Sequence, residues 1–438
     1  MSSGLRGYDG DTSDGILLAD RGHPHLDAPP PAYDQVPPWN KDAGKMARAE
    51  GAKSPQWYNF KSWSIKTWLI IGAVIVVIIV AVVVGAVEGT KANAYPNYKT
   101  LNYTLSETYS TDDFFDNFDY FTDSDPTNGF VTYVSQETAE SLNLTYTSSS
   151  SAVLRVDTSD ADSSESSDSS SNSDGSGGSD TSSSPGNQGG QSGQGGQGAP
   201  GRTRRRSTAT SRNSVRVTSK TQYSSGLFIF DVKHTPYGCG TWPALWLTDP
   251  GNWPAHGEID VMEAVNNGTS GNQMTLHTAS GCKMDRRRRQ AGTALYENCY
   301  WDANDEAGCG VRGNASTFGE DLNALGGGVT AVEWRPAGIR MWQFERGSIP
   351  GDISSESPDP SSWGEALADF PNTDCDIGSH FKNQSIVINI DLCGDWAGGS
   401  AYSSFDCPSN CTDFVANNPS EFTKAYWEFG AFQIYQSS

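Results

Sequence analysis

The chain is short of positive charge, of apolar residues and, over its first half, of cysteine. Thirty Lys and Arg stand against 52 Asp and Glu, for a net charge of −22. A nucleic-acid partner held through a basic face is thereby excluded. Only 36% of the 438 residues are hydrophobic. The deficit is local, because residues 160–211 are Ser, Asp, Gly and Gln, ending in a basic run, and cannot build a core. No cysteine precedes Cys239, and no two have the Cys-x-x-Cys spacing of a zinc site. The eight present are Cys239, Cys282, Cys299, Cys309, Cys375, Cys393, Cys407 and Cys411. Their even number suits disulfides of an oxidising compartment. The pairing is open, and Cys407 and Cys411 are each free to pair with a distant partner.

Long apolar runs are also absent, with one exception. Residues 67–87, TWLIIGAVIVVIIVAVVVGAV, are 21 in number and carry no charge. At about 1.5 Å per residue they span a bilayer core of about 30 Å. The run is apolar on every face, which a buried core helix is not, and it is too long and too far from the start for a cleaved signal peptide. Lys53, Lys61 and Lys66 precede it, against Glu88 and Lys91 after it. The positive-inside rule therefore predicts a type II anchor, with the N-terminus cytoplasmic and the remainder lumenal or extracellular. Glycosylation sequons begin at Asn102, Asn143, Asn267, Asn314, Asn383 and Asn410, all on the same side of the run as the cysteines.

Residues 1–66 are Pro-rich, polar and aperiodic, so a disordered tail is expected. Within it, Pro30-Pro31-Ala32-Tyr33 matches the PPxY pattern that WW domains read. His23 and His25 form a His-x-His pair that solvation accounts for. Segments such as GFVTYVSQETA and SAVLRVD before the 160–211 stretch, and SVRVTS and GLFIFDV after it, alternate as strands. Strands on both sides, with few helical runs, predict one all-β sandwich over 88–438, with 160–211 as an insertion. The basic runs, Arg202 with Arg204–Arg206 and Arg286–Arg289, suit a processing site, a phosphate contact or a solvated loop.

Thirteen Trp and 17 Tyr are many for an acidic chain, and flat rings suit the apolar faces of sugars. Among them runs GCGTWPALWLTDPGNWPAHGEIDVMEAVNNGTSGNQMTLHT, which carries Glu258, Asp260 and Glu263. Three acids at fixed offsets arise by chance in so acidic a chain. Their context is more telling: EIDVMEAV alternates as a strand, and acids on a core strand are costly unless they face a cleft. Glu258 and Asp260, two apart, share a face, whereas Glu263 in a regular strand would point the other way. A bulge near Val261 and Met262 would return Glu263 to the same face. The two glutamate Cα atoms would then lie about 13 Å apart, at about 3.3 Å for each of four steps. Their side chains could approach to the ~5–5.5 Å separation of a retaining glycosidase, with the shorter Asp260 between them.

GEIDVMEAVN (257–266) resembles the bulged E-x-D-x-x-E signature of glycoside hydrolase family 16, in its fungal laminarinase-like branch. GCGTWPALW before it, GGGVTAVEW (326–334), IVINIDLCGDWAG (386–398) and AYWEFGAFQIYQ (425–436) add to the likeness. The resemblance covers residues 95–438 apart from 160–211. It implies a concanavalin-like β-jelly roll with a substrate cleft on its concave face and no cofactor or metal in the chemistry. It implies Glu258 as nucleophile, Asp260 as its helper and Glu263 as acid/base. Trp246, Trp253 and Trp396 fall where cleft aromatics are expected, and His277 is a further cleft candidate. Ala264 replaces a common Gly, and Asp391 interrupts an apolar strand where it would alter the cleft near Trp396.

The implied activity is hydrolysis of β-1,3 or mixed β-1,3/1,4 glucan, in wall remodelling. A transglycosylase is the enzymatic alternative, although chitin–glucan cross-linking relatives usually carry the unbulged E-x-D-x-E. A non-catalytic factor of β-glucan assembly, sharing fold and topology, is the alternative from another class; the intact acids argue against it.

Overall fold

The structure, a computed structural model, describes residues 63–92, 95–160, 210–285 and 287–437. The Pro30-Pro31-Ala32-Tyr33 motif, His23, His25, the basic run 202–206, Arg286 and nearly all of 160–211 fall outside them. Ile65–Ala92 is a helix of 28 residues. Its segment Ile65–Val84 is long and apolar enough to cross a membrane, and none of it is buried.

Two antiparallel sheets of eight strands each account for most of the rest. The first runs Ala368–Pro371, Gly338–Glu345, Gly328–Arg335, Gly226–His234, Tyr426–Ser437, Ala152–Arg155, Thr145–Thr147, with Tyr103–Tyr109 also on Tyr426–Ser437. The second runs Thr293–Ala294, Val311–Arg312, Gln273–His277, Glu258–Glu263, Thr241–Thr248, Gln384–Leu392, Arg216–Tyr223, Phe118–Tyr120. Period-two alternation decides what each face carries. Phe228, Phe230 and Val232 of the first sheet and Leu245, Leu247, Ile386, Ile388 and Ile390 of the second fill one shared core. The outer face of the first sheet carries a smaller cluster, where Trp342 and Tyr435 meet Ile353 and Trp363. The outer face of the second sheet is left to Trp242, Trp246, the acids and His277.

Residues before and after the 160–211 stretch share both sheets. Ala152–Arg155 and Tyr103–Tyr109 each pair with Tyr426–Ser437, and Phe118–Tyr120 pairs with Arg216–Tyr223. Phe114 packs on Phe432 at 4.9 Å and on Phe429 at 5.7 Å.

All eight cysteines are paired: Cys239–Cys407, Cys282–Cys375, Cys299–Cys309 and Cys393–Cys411. Cys407 and Cys411 thus each take a distant partner. The bridge separated by 168 residues closes the longest loop and, by chain entropy, restrains the unfolded state most, by about 5 kcal/mol.

Candidate active site

The strand Glu258–Glu263 is built around one extra residue. Glu258 lies opposite Thr248 and Asp260 opposite Trp246, after which the register shifts, so that Met262 faces Leu245 and Glu263 faces Ala244. Six residues on this strand therefore match five on its neighbour, and Glu258, Asp260 and Glu263 emerge on one face. Val261 and Met262 are both fully buried on the other face. A bulge leaves backbone groups without ladder partners. Buried Asn272 satisfies them: its side-chain Oδ1 accepts the Glu263 N–H at 2.9 Å, and its Nδ2 donates to the Val261 carbonyl at 2.9 Å.

Each acid has a distinct neighbour. Trp242 donates its indole N–H to Glu263 Oε1 at 2.8 Å. Trp253 lies beside Glu258 and favours its ionised form. Asp260 is 3% exposed, its Oδ2 has no hydrogen-bond partner, and His277 Nε2 lies 3.4 Å from it. His277 is paired opposite Glu258 on the adjoining strand. Glu258, Asp260 and His277 each bring one ligand atom to within 4.8 Å of the others, a donor set that could also hold a divalent cation.

Burial is the main force on all three carboxyls and disfavours their ionised forms. It pushes Glu258 up to about 8, aided by repulsion from Asp260 and Glu263 and opposed by His277 and Trp253. Glu263 is also pushed up to about 8, by burial and then by Asp260, with Trp242 pulling the other way. Asp260 is raised to about 8 by burial. The group therefore retains protons near neutrality, and its protons leave in coupled steps.

The aromatic candidates surround this row. Trp253 is 43% exposed and packs against Trp301 with centroids 5.4 Å apart, forming an open platform beside Glu258. Its loop is clamped by Asp249, which accepts from the Gly251 N–H, from Asn252 and, at 2.6 Å, from His256 Nδ1. Trp246 donates to Asn389 Oδ1 at 2.8 Å, and the Arg216 guanidinium lies 5.0 Å from its ring. Trp396 packs edge-on against Trp242 at 5.7 Å. Asp391 sits opposite Trp242, 2% exposed, accepting from the Leu392 N–H and from Thr127. It presses on Gly129, where a Cβ would fall 1.9 Å from Asp391 Oδ1, so that position has room only for glycine. Asp391 thus shapes the wall through the 125–129 loop, and the neighbour of Trp396 is Trp242.

Trp242, Asn272, Trp301 and Asn389 also belong to the site, though no sequence motif marks them. Trp242 carried a signal, since it stands four residues before Trp246 on one strand and so shares its face. Trp301 lies in the loop closed by Cys299–Cys309 and offers no periodicity.

A family model described as XgeA-like, catalytic GH16 domain matches residues 118–174 and 197–435. The chain is 41% identical over 346 residues to a probable glycosidase of Schizosaccharomyces pombe, covering 78% of this chain and 71% of that one. It is 35% identical over 345 residues to a probable endo-1,3(4)-β-glucanase of Aspergillus flavus, covering 76% of this chain but only 44% of the relative, so it spans less than half that protein. Among solved structures, Laminarinase 16A from Phanerochaete chrysosporium, with β-glucans in donor and acceptor sites, matches with a TM-score of 0.64 and 37% identity, over 76% of this chain and 100% of that one. An elongating GH family 16 β-1,3-glucosyltransferase matches with a TM-score of 0.61, again at 37% identity and over 76% of this chain and 100% of that one.

Proposed function

The chain belongs to glycoside hydrolase family 16, and from that premise we propose that it is a membrane-anchored retaining endo-β-glucanase acting on β-1,3 or mixed β-1,3/1,4 glucan. One observation carries the reading: the bulge after Asp260 puts two glutamates on one face with a buried aspartate between them. In the reactive form of the coupled group Glu258 is ionised and Glu263 holds a proton through burial; Glu258 attacks the anomeric carbon while Glu263 gives its proton to the leaving oxygen. Esterification of Glu258 removes one negative charge, the Glu263 pKa falls, and the same carboxylate accepts a proton from incoming water. Asp260 keeps its proton through burial, so it offers a donor to the carboxylate released from Glu258. Trp246 and Trp253 supply ring faces for the flanking sugars.

Residues 67–87 form the anchor in this reading, 1–66 a cytoplasmic tail, and 88–438 one lumenal or extracellular domain interrupted at 160–211. The apolar surface of the helix and the sharing of strands across the interruption support it. Transfer to a sugar hydroxyl, in place of water, is the second reading, favoured by the likeness to the elongating glucosyltransferase. Incubation with laminarin, lichenan and pustulan, with and without an oligosaccharide acceptor, tests both. Shortened products from laminarin or lichenan support the glucanase, and elongated acceptors support transfer. Turnover of pustulan alone, or of none, would refute the assignment.

A further inference from the structure

Four consecutive arginines, Arg286–Arg289, stand in a chain of net charge −22. Arg289 meets the segment that follows the apolar helix. The Arg289 guanidinium lies 4.5 Å from the Tyr95 ring, and the Arg289 backbone N–H donates to the Tyr95 hydroxyl at 3.0 Å. Tyr95 and Tyr98 donate to the two oxygens of buried Asp369, on the edge strand Ala368–Pro371. Arg340 and Arg335 lie 4.1 and 4.9 Å from the Tyr98 ring, and Arg335 donates to the Lys99 carbonyl at 2.8 Å. Tyr103 donates to Glu333 at 2.9 Å. Arg288 turns inward, 5.1 Å from the Phe370 ring, and burial lowers its pKa to about 10. The stem is therefore fastened to one edge of the sandwich from Tyr95 onward.

Chain length limits how far that edge can lie from the membrane. Tyr95 comes three residues after Ala92, the last of the helix, and three extended residues reach about 11 Å. From Val87, where the apolar run ends, five helical residues add about 7.5 Å. Tyr95 is thus held within about 19 Å of the hydrocarbon edge, and the headgroup layer itself fills about 5–7 Å of that distance.

We propose that this edge of the domain faces the bilayer and that Arg287 and Arg289 bind its phosphate headgroups. The proposal rests on the anchor reading above. Both side chains are exposed. Arg286, outside the described residues, is not assigned to the contact. An acidic domain with a basic patch at its tether is drawn to a phosphate surface at that patch and repelled elsewhere, so the contact also orients it.

The full chain in phosphatidylcholine–phosphatidylserine nanodiscs tests this with two photoreactive lipids, one reactive in the acyl chain and one in the headgroup, mapped by peptide mass spectrometry. The acyl probe should label residues 67–87, and the headgroup probe should label 283–291 more than the rest of the domain. Arg287→Ala alone, which leaves the Tyr95 contacts in place, should lower headgroup labelling about fivefold, and adding Arg289→Ala should lower it about fivefold again. Laminarin hydrolysis should persist in both. Even headgroup labelling across the domain, or labelling unchanged in both variants, overturns the proposal. Chain recovered cleaved after Arg287 or Arg289 also overturns it, by assigning the run to a processing protease. Failure of the acyl probe to label 67–87 overturns the anchor reading, and the proposal with it.

Discussion

Trp242→Phe separates the two proton transfers asked of Glu263. The substitution keeps an aromatic ring beside Trp396 but removes the N–H donated to Glu263 Oε1 at 2.8 Å. That bond favours the ionised carboxylate. A hydrogen bond to a charged group contributes about 1.5–3 kcal/mol, which is roughly a 10- to 150-fold change in the ionisation equilibrium. Glu263 should therefore hold its proton to higher pH. The basic limb of kcat/KM on laminarin, which reports the free enzyme, should move up by about one to two pH units. The second step needs Glu263 as a base, so it should slow by about tenfold or more near neutrality. Rapid-mixing assays with an aryl β-laminaribioside should then show a burst of aryl release followed by slow turnover. A basic limb that stays in place, or moves down, would refute the role given to Trp242, and absence of the burst would count against Glu263 as the base.

Further expectations follow from the same geometry. Glu258→Ala should lose turnover yet make β-linked product from an α-laminaribiosyl fluoride donor and an acceptor, whereas Glu263→Ala should keep its first step on substrates with a good leaving group; wild-type turnover in Glu258→Ala would end the assignment. Asp260 carries its proton in the folded state between about pH 4 and 8 while the unfolded chain has lost it, so its contribution to stability falls as pH rises through that window. The unfolding free energy of Asp260→Asn relative to wild type, from denaturant titration, should accordingly climb from pH 4 to pH 8, by up to about 1.4 kcal/mol per pH unit, and a flat difference would contradict the burial argument. Replacing 160–211 by a short Gly-Ser bridge should leave activity largely intact, since closure entropy changes by only about 0.6 kcal/mol per doubling of loop length. An isolated 212–438 fragment should fail, because it lacks Phe114, Phe118 and three strands of the first sheet; activity in that fragment would overturn the single-domain assignment.

Much of this architecture was legible in the sequence because it follows from local parity. Two intervening residues between Asp260 and Glu263 demand a bulge if both are to share a face, and the register shifts there. The apolar run needed only counting. What escaped depends on contacts distant in sequence. Asn272 is an unremarkable polar residue until it is seen to satisfy the bulge backbone. The disulfide partners span from 10 to 168 residues, and spacing alone does not choose among them. Tyr95 and Tyr98 meet Asp369 across more than 270 residues, so the docking of the stem had no local signature. Trp242 was legible by parity with Trp246, but its bond to Glu263 was not.

The stereochemistry of hydrolysis tests the central claim most directly. Two glutamates on one face, four strand steps apart, are assigned to double displacement rather than to direct attack by water, which needs carboxyls about 6.5–9.5 Å apart. Proton NMR of a laminarin digest, recorded before mutarotation, should show the β anomer of the new reducing end first, with the α anomer growing in later. An α anomer formed first would contradict a nucleophilic Glu258.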